Sequence, residues 1–288
     1  MACGVIYLVP VPIGNLGDIT LRAIETLKNA ELIACEDTRK TAFLLQQYKI
    51  PVPKLLSFHK FNERSRQAAL FAHLESGKEL VVVSDAGSPG ISDPCESLVG
   101  EALIRGIEVI ALPGASAVIP AISISGFSTR QFQFVGFLPA QAKKRREKLH
   151  EIKDYPFPTV IYEAPHRIIT LLQELLNVLG DRKLCLCREI SKLHEEHIYG
   201  LLSELISNDE ITIKGEFCLV LDGNAKEQAI ELAQGEPDPT VLHDFMIKCK
   251  KAGMGTREIS VALAEKFGLE RKTAYSMVVK HTSRGKKA

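Results

Sequence analysis

A run of β-branched residues that leads into a glycine- and proline-rich loop constrains the fold more than any other segment of this chain. Residues 81–83 are an uninterrupted valine run, as expected for a strand buried on both faces of a parallel sheet. The loop over residues 84–94 contains Gly87 for a tight backbone path, and Asp93 followed by Pro94 predicts a helix N-cap and a first helical residue. Ligands of open α/β sheets bind at the carboxyl ends of strands. This loop is therefore either a ligand-binding loop or a tight connection from strand to helix.

Strand-like and helical segments alternate through most of the sequence. Strands are predicted at residues 5–9, 32–35, 80–83, 107–112, 132–135, 159–162, 184–188 and 217–221. Helices are predicted at residues 20–30, 62–76, 94–105, 145–153 and 166–179. This alternation indicates an α/β fold with βαβ units and a mostly parallel sheet, followed by a second α/β series.

Composition divides the chain further near residue 235, where the sequence Gly-Glu-Pro-Asp-Pro predicts a linker. We expect an α/β lobe over residues 1–116, a second α/β lobe over 117–234, and a linker with a helix-turn-helix-like tail over 235–288. The whole chain has a net charge of +1, but residues 240–288 contain eleven lysines and arginines against four acids, so they carry +7 and the rest carries −6. This basic tail favours contact with nucleic acid, and a solvated helical bundle is the alternative.

Cysteine and histidine patterns argue against a disulfide framework and against a metal site. Seven cysteines occur without a repeated spacing, which is typical of a reducing cytoplasm, and Cys185 and Cys187 are expected to be buried thiols. His194 and His197 are three residues apart, whereas the zinc-binding H-E-x-x-H pattern requires four. The apolar stretch over residues 4–12 is interpreted as a core strand, because it lacks the basic start and length of a signal peptide.

Four other loops share the character of the first one, and each follows a predicted strand. The five loops lie at residues 10–16, 84–94, 112–117, 134–139 and 162–167. Their distribution over both lobes predicts one shared cleft. None matches the dinucleotide or phosphate-loop pattern, so a ligand without phosphates, held by backbone groups and one carboxylate, fits better.

The motifs in these loops, taken in order, resemble those of the ribosomal RNA small subunit methyltransferase I family in the tetrapyrrole methylase superfamily. The motifs that carry the resemblance are Pro-Ile-Gly-Asn-Leu (12–16), Glu-Asp-Thr-Arg (36–39), Ser-Asp-Ala-Gly-Ser-Pro-Gly-Ile-Ser-Asp-Pro (84–94), Leu-Pro-Gly-Ala-Ser-Ala (112–117), Gly-Phe-Leu-Pro (136–139), Tyr-Glu-Ala-Pro-His-Arg (162–167), Arg-Glu-Ile-Ser-Lys (188–192) and Lys-Gly-Glu-Phe (214–217).

The resemblance implies two α/β lobes with S-adenosylmethionine in the cleft between them, in a homodimer. It also implies methyl transfer to the ribose 2′-oxygen of a cytidine in the decoding region of small-subunit (16S) ribosomal RNA. The expected cofactor-binding residues are Pro12, Gly14, Asn15, Ser84, Asp85, Ala86, Gly87, Pro113, Gly114, Ser116, Phe137 and Tyr162. Asp85 is the carboxylate assigned to the cofactor, and a role in stabilising its own turn is the alternative.

Two residues are candidates for activating the ribose hydroxyl, Glu163 and Lys192. The expected RNA-binding residues are Arg39, Arg145, Arg146, Arg167 and Arg188. Arg39, Arg167 and Arg188 could instead form structural ion pairs, and Arg145 and Arg146 could instead belong to a solvated helix start. Two competing functions remain open at this point. One is a porphyrinoid C-methyltransferase of the same superfamily, and the other is a non-catalytic RNA-binding factor for ribosome assembly.

Overall fold

Two five-stranded sheets organise most of the chain in the computed structural model, which describes residues 3–91, 95–207, 211–224, 239–251, 254–267 and 271–284. The described residues within 1–152 and 158–222 form one compact unit that contains both sheets. Those within 153–157 and 223–288 form a second unit. The predicted N-cap at Asp93 and Pro94 lies outside the described residues, as does most of the predicted linker.

The first sheet is entirely parallel and confirms the prediction from the valine run. Its strands are β1 (Ile6–Leu8), β2 (Leu32–Cys35), β3 (Lys54–Ser57), β4 (Leu80–Val83) and β5 (Val109–Ala111). They pair in the order β3-β2-β4-β1-β5. The helices of this lobe are α1 (Leu21–Asn29), α2 (Thr38–Gln47), α3 (Glu63–Glu75) and α4 (Glu96–Ile104).

Both faces of β4 are buried, and for this reason its sequence is uniformly apolar. Leu80 and Val82 pack into a cluster with residues of α3 and α4, whereas Val81 and Val83 pack into a cluster with residues of α1 and α2. The carboxyl ends of β1, β2 and β4, which pair in parallel, therefore open at the same edge of the sheet.

The second sheet is mixed, so the expectation of parallel pairing does not extend to it. Its strands are β6 (Gln133–Phe137), β7 (Thr159–Glu163), β8 (Lys183–Arg188), β9 (Glu196–Leu201) and β10 (Phe217–Leu221), in the order β6-β7-β10-β8-β9. β6 and β7 pair in parallel, and the other pairs are antiparallel. The segment 189–195 between β8 and β9 is too short for a crossover helix, so these two strands must run antiparallel.

Helices cover both faces of the second sheet. They are α5 (Val118–Ile124), α6 (Ala142–Lys153), α7 (Ile168–Leu179) and the one-turn α8 (Leu202–Ile206). One face forms the largest apolar cluster with α6 and α7, and the other face carries Cys185, Cys187 and Cys218 beside α5. The two strand cysteines are thus buried thiols, as predicted, with their Sγ atoms 3.5 Å apart.

Among the residues described after position 224, three helices are present, α9 (Pro239–Lys251), α10 (Thr256–Phe267) and α11 (Arg271–Arg284). They bury one shared apolar cluster that includes Met246, Leu263 and Val278. The predicted division at residues 116 and 234 stays a prediction. None of the described helices has the length and apolar character needed to cross a membrane.

Candidate active site

The five loops singled out in the sequence meet at one cleft of about 470 Å³. The loops after β1, β4, β5, β6 and β7 all line it. They contribute, in that order, Ile13, then Ser84, Asp85, Ala86, Gly87, Ser88 and Ile91, then Ser116 and Ala117, then Phe137, and finally Tyr162, Glu163, Ala164 and Pro165. Seven of the twelve expected cofactor-binding residues therefore lie at one site.

The lining of the cleft is acidic and aromatic. Its carboxylates are Glu36, Asp85, Glu163 and Glu216, and none of the described residues that line the cleft is a lysine, arginine or histidine. The rings of Phe137 and Tyr162 lie together with centroids 5.5 Å apart. Carboxylates and aromatic faces both attract cations, so the cleft suits a ligand that carries positive charge rather than phosphate.

The loop after β4 is joined to the loop after β1. Gly87 and Val11 exchange two backbone hydrogen bonds, each 2.9 Å long, at an isolated antiparallel bridge. Gly87 has a φ of +76°, a left-handed conformation that favours glycine. The Ser84 hydroxyl donates within the same turn, to the carbonyl oxygens of Ala86 and Gly87 at 3.1 and 3.2 Å. The glycine in this loop is therefore required by its backbone conformation.

Asp85 connects this loop to the start of α2. Its Oδ1 accepts a hydrogen bond from the Asp37 backbone N–H at 3.1 Å, and its Oδ2 accepts one from Lys40 Nζ at 2.7 Å. The carboxylate also raises the pKa of the Lys40 ammonium by this hydrogen bond. Asp85 thus stabilises the contact between two loops while it lines the cleft, and cofactor contact by Asp85 stays a prediction.

Tyr162 of β7 and Ser116 of the loop after β5 both line the cleft. Burial raises the pKa of Tyr162 to about 12, against opposing interactions with Ser116 and backbone groups of α5, so its hydroxyl is neutral at neutral pH. The Ser116 hydroxyl accepts a hydrogen bond from the Val118 N–H at 3.3 Å at the start of α5. Tyr162 therefore presents a neutral hydroxyl that interacts with Ser116 in the wall of the cleft.

Glu163 is the buried carboxylate of the site. Its Oε1 accepts a hydrogen bond from the Ala164 N–H at 2.8 Å. Its Oε2 lies 3.2 Å from Arg167 Nη2 but outside hydrogen-bond geometry, and it has no hydrogen-bond partner among the described residues. Burial raises the pKa of this carboxyl above that of an ordinary glutamate, although Ala164 and Arg167 act in the opposite direction. A buried carboxylate with an unsatisfied oxygen is the group best suited to take up a proton.

Five of the expected cofactor residues do not line the cleft. Pro12 faces an adjoining groove. Asn15 accepts the Gly17 N–H at 2.9 Å and so begins a 3₁₀ turn. Gly14 and Gly114 allow close packing, since a Cβ at these positions would lie 2.4 Å from Lys192 Cγ and 2.5 Å from Pro10 Cβ. Pro113 precedes Gly114 and is likewise absent from the lining. Gly14 and Gly114 shape the loops, and cofactor contact by these five residues stays a prediction.

Lys192 lies outside the cleft and contacts two acidic side chains. Its Nζ donates to Glu189 Oε1 at 2.8 Å and to Glu216 Oε2 at 3.0 Å. Burial lowers the pKa of this ammonium, but the hydrogen bonds to the two carboxylates outweigh burial and raise it overall. Because a general base must be unprotonated, this geometry favours Glu163 over Lys192 for that role.

The turn that carries Lys192 has an unusual backbone. Glu189 and Ser191 adopt φ values of +53° and +69°, which are uncommon for residues other than glycine. The Ser191 hydroxyl also donates to Asp18 Oδ2 of the first lobe. Ile190, between the two left-handed residues, lines the cleft. The strained turn therefore places an apolar side chain against the ligand site and connects the two lobes.

Four of the five expected RNA-binding arginines have hydrogen-bond partners, and three of these four are buried or half-buried. Arg145 is buried, with Nη2 2.7 Å from Glu174 Oε1. Arg188 is also buried, with Nε 2.7 Å from Glu196 Oε2, and Arg167 donates to the Leu138 carbonyl at 2.9 Å. The geometry supports the ion-pair alternative for Arg167 and Arg188 and gives Arg145 a structural partner in place of a solvated position, because a phosphate needs an accessible guanidinium. The remaining two, Arg39 and Arg146, are exposed.

The sequence interpretation missed several residues of the cleft wall. The residues not assigned to the site are Ile91, Ala117, Ile190, Glu216 and Cys218, together with Ser88, Ala164, Pro165, Phe217 and Ile13. Most belong to motifs already recognised at residues 188–192 and 214–217 or in the five loops. Their motif membership was thus a usable signal, but the contact of β10 with β7 and β8 was needed to place them. Among the described residues, no group of three histidine, cysteine or acidic side chains could hold a metal ion.

Comparison with known proteins gives consistent results. A family model described as "Tetrapyrrole (Corrin/Porphyrin) Methylases" matches residues 5–206. A protein of Halalkalibacterium halodurans named "Ribosomal RNA small subunit methyltransferase I" is 47% identical over 83% of this chain and 83% of its own length. A protein of the same name from Synechocystis sp. is 41% identical over 95% of this chain and 97% of its own length. Among solved structures, uroporphyrin-III C-methyltransferase from Thermus thermophilus in complex with S-adenosyl homocysteine has a TM-score of 0.53 and 19% identity over 76% and 97% of the two chains, which shows a shared fold.

Proposed function

The chain belongs to the tetrapyrrole methylase family, among the ribosomal RNA small subunit methyltransferase I proteins, and we propose that it methylates small-subunit ribosomal RNA with S-adenosylmethionine. The proposed acceptor is the ribose 2′-oxygen of a cytidine in the decoding region. The observation that carries the proposal is the acidic cleft with a buried carboxylate, Glu163, in its wall.

The cleft fits S-adenosylmethionine in size and in charge. A volume of about 470 Å³ lies in the range of small-molecule and cofactor sites. The cofactor carries a sulfonium and an ammonium group, and the cleft offers carboxylates with Phe137 and Tyr162 beside them. Ser84, Asp85 and Ser116 supply polar groups that can fix its orientation. When bound, the cofactor supplies an electrophilic methyl group. The electrons of the broken S–CH₃ bond stay on sulfur, and the demethylated cofactor leaves as a neutral thioether.

Glu163 acts as the general base in the proposed mechanism. The carboxylate takes the proton of the ribose 2′-hydroxyl while an oxygen lone pair forms the new O–CH₃ bond. The Ala164 N–H holds Oε1 of Glu163 at 2.8 Å, and Oε2 is the oxygen without a hydrogen-bond partner among the described residues. Arg167 beside Oε2 favours the ionised carboxylate before the proton is transferred. Positioning of the two reactants by the cleft supplies much of the acceleration, and a positioned base adds about 10²- to 10⁴-fold.

Methyl transfer from labelled cofactor to small ribosomal subunits from a strain that lacks this protein tests the proposal. We expect label on a ribose 2′-oxygen, which nucleotide mapping locates at a cytidine of the decoding region. Label on a base, or an unlabelled RNA, contradicts the proposal. Isothermal titration with S-adenosylmethionine separates the alternatives, because a non-catalytic assembly factor with a relic cleft does not bind the cofactor.

Lys192 holds the cleft wall in this scheme, and its replacement gives a separate prediction. Lys192→Met removes the cation shared by Glu189 and Glu216, and we expect the free energy of unfolding to fall by about 1–3 kcal/mol. Denaturant unfolding measures the loss. Lys148→Met is the matched control, because its pair with Glu151 is exposed and such pairs contribute only about 0–1 kcal/mol. A Lys192→Met variant with wild-type stability and no methyl transfer would instead support Lys192 as a catalytic group.

The homodimer and the cytoplasmic location implied by the family are also proposals. Sedimentation of the purified chain tests the first, and fractionation of cells tests the second. We also propose that Arg39, Arg146 and the basic C-terminal helices contact the RNA substrate directly.

A further inference from the structure

A groove of about 560 Å³ adjoins the cleft, and the two cavities share Ser84 and Asp85. The other residues of the groove come from α2, from the residue before it and from the loop after β1. They are Val11, Pro12, Asp37, Arg39, Lys40, Thr41, Phe43 and Leu44. A molecule in this groove would therefore contact the same loop as a ligand in the cleft.

The chemistry of the groove differs from that of the cleft. The cleft presents carboxylates, whereas the groove adds two cations, Arg39 and Lys40, and an aromatic ring, Phe43. The exposed fraction of Phe43 is 62%. Arg39 and Phe43 are four residues apart on α2, so their side chains are neighbours on one face of the helix. Proteins that bind single-stranded nucleic acid combine aromatic rings on which bases stack with cationic side chains such as arginine.

Arg39 is held in a fixed orientation although its side chain is 88% exposed. Asp37 accepts hydrogen bonds from Arg39 Nε at 3.0 Å and from Nη2 at 2.7 Å, and also from the Arg39 backbone N–H at 2.9 Å. Within the described part of the chain, no hydrogen bond engages Nη1. The ordered guanidinium thus keeps N–H donors for a ligand, and little conformational entropy is lost when the ligand binds.

We propose that Arg39 and Phe43 form a nucleotide subsite, in which Phe43 stacks on an unpaired base next to the nucleotide in the cleft and Arg39 binds its phosphate. This inference rests on the proposed function, since it assigns the place where the RNA substrate continues beyond the reacting ribose. Lys40 supports it, because its hydrogen bond to Asp85 attaches α2 to the loop that both cavities share.

Steady-state kinetics with the full-length chain and unmethylated small subunits tests the subsite. We expect Phe43→Ala to raise KM for the subunits by about 10- to 100-fold, as for loss of one stacked base. Phe43→Tyr keeps an aromatic ring, so its KM should stay close to that of the wild type. Titration calorimetry should show unchanged affinity for S-adenosylmethionine. Leu103→Ala is the control, because Leu103 is 63% exposed on α4 and lines neither the cleft nor the groove.

Fluorescence gives a second readout that does not depend on turnover. The chain contains no tryptophan, so Phe43→Trp introduces a single tryptophan at the proposed stacking position. We expect a single-stranded oligoribonucleotide to quench it and a fully paired duplex of the same sequence to leave it unchanged. Leu103→Trp should respond to neither.

The outcomes separate the subsite from the proposed function. A wild-type chain that methylates no ribosomal RNA contradicts the proposed function, whereas quenching of Phe43→Trp by single strands still supports the subsite. If the wild type is active but Phe43→Ala keeps its KM and Phe43→Trp is not quenched, the subsite is overturned and the function stands. Equal loss of cofactor affinity and RNA affinity in Phe43→Ala also overturns it.

Discussion

Replacement of Glu163 by glutamine lowers kcat for methyl transfer by about 10²- to 10⁴-fold, the usual contribution of a positioned general base. Glutamine has nearly the same shape and can still accept the Ala164 N–H, but it cannot take the hydroxyl proton. Affinity for S-adenosylmethionine, measured by calorimetry, should stay close to wild type. A Glu163→Gln enzyme that retains wild-type kcat contradicts the assignment and leaves Glu163 as a residue that positions the loop after β7.

The pH dependence of the wild-type rate gives a second test of the same assignment. A base is active when it is ionised, and burial raises the pKa of Glu163. The rate should therefore rise with pH through a range above that of an ordinary glutamate. The residual activity of Glu163→Gln should lack this limb. Glu174→Gln is a useful comparison, because Arg145 lowers the pKa of Glu174 and this residue lies outside the cleft.

The same shift has a consequence for stability. The pKa of Glu163 is higher in the folded chain than in the unfolded chain, so the native state binds the proton more tightly. The stabilisation is fully present below the unfolded pKa and is lost as pH rises through the folded pKa. Glutamine does not ionise, so Glu163→Gln does not lose this stabilisation as pH rises. At neutral pH we therefore expect its free energy of unfolding to be at least as high as that of the wild type. A less stable variant contradicts this expectation.

Neutralising the basic tail produces the second large effect. Replacement of the exposed residues Lys248, Lys250 and Lys272 by glutamine should weaken binding to small subunits and make the slope of log K against log salt concentration shallower by about 2–3. Deletion of residues 236–288 should weaken RNA modification further. Cofactor affinity should not change in either variant, because the cleft lies wholly in the other compact unit.

Three exposed lysines of the first lobe provide the control for the tail. Replacement of Lys28, Lys49 and Lys54 by glutamine changes the net charge equally but leaves the tail intact. An equal loss of RNA affinity in both triple variants would show that only overall charge matters. Loss of cofactor binding on deletion of the tail would show that the tail is needed for the α/β fold.

The first lobe could be predicted from the sequence because its pattern and its environment agree. The valines of β4 are apolar on both faces, and the glycine at position 87 marks a left-handed turn. The strand β3 and the helix α2 were missed. β3 begins with an exposed lysine and is only half-buried, and α2 has a mixed surface with exposed Arg39 and Phe43. Neither segment shows clear periodicity, so tertiary contacts decide its structure.

The loops of the site could be predicted from the sequence, but the part of the cleft lined by Ile190 and Glu216 could not. Five loops after strands carry glycines, prolines and serines that signal a ligand site, and all five line the cleft. Ile190 and Glu216 follow from the antiparallel pairing of β8 and β10, which brings residues distant in sequence together. The partners of the buried residues Arg145 and Arg188 could likewise not be predicted from the sequence. The sequence around an arginine does not reveal whether its guanidinium binds a phosphate or a glutamate of the same chain.

The position of β10 in the second sheet sets the order in which the chain can assemble during synthesis. β10 is the last strand of its sheet to be made, yet it lies between β7 and β8. The first sheet is complete at Ala111, whereas the second needs Leu221, and ribosomes take roughly 5–20 s to add the intervening residues. During that interval β7 has no neighbour on its open side, and the cleft lacks Glu216, Phe217 and Cys218. The nascent chain can therefore complete its ligand site only after Cys218 has been made, when every strand of the first sheet is already available.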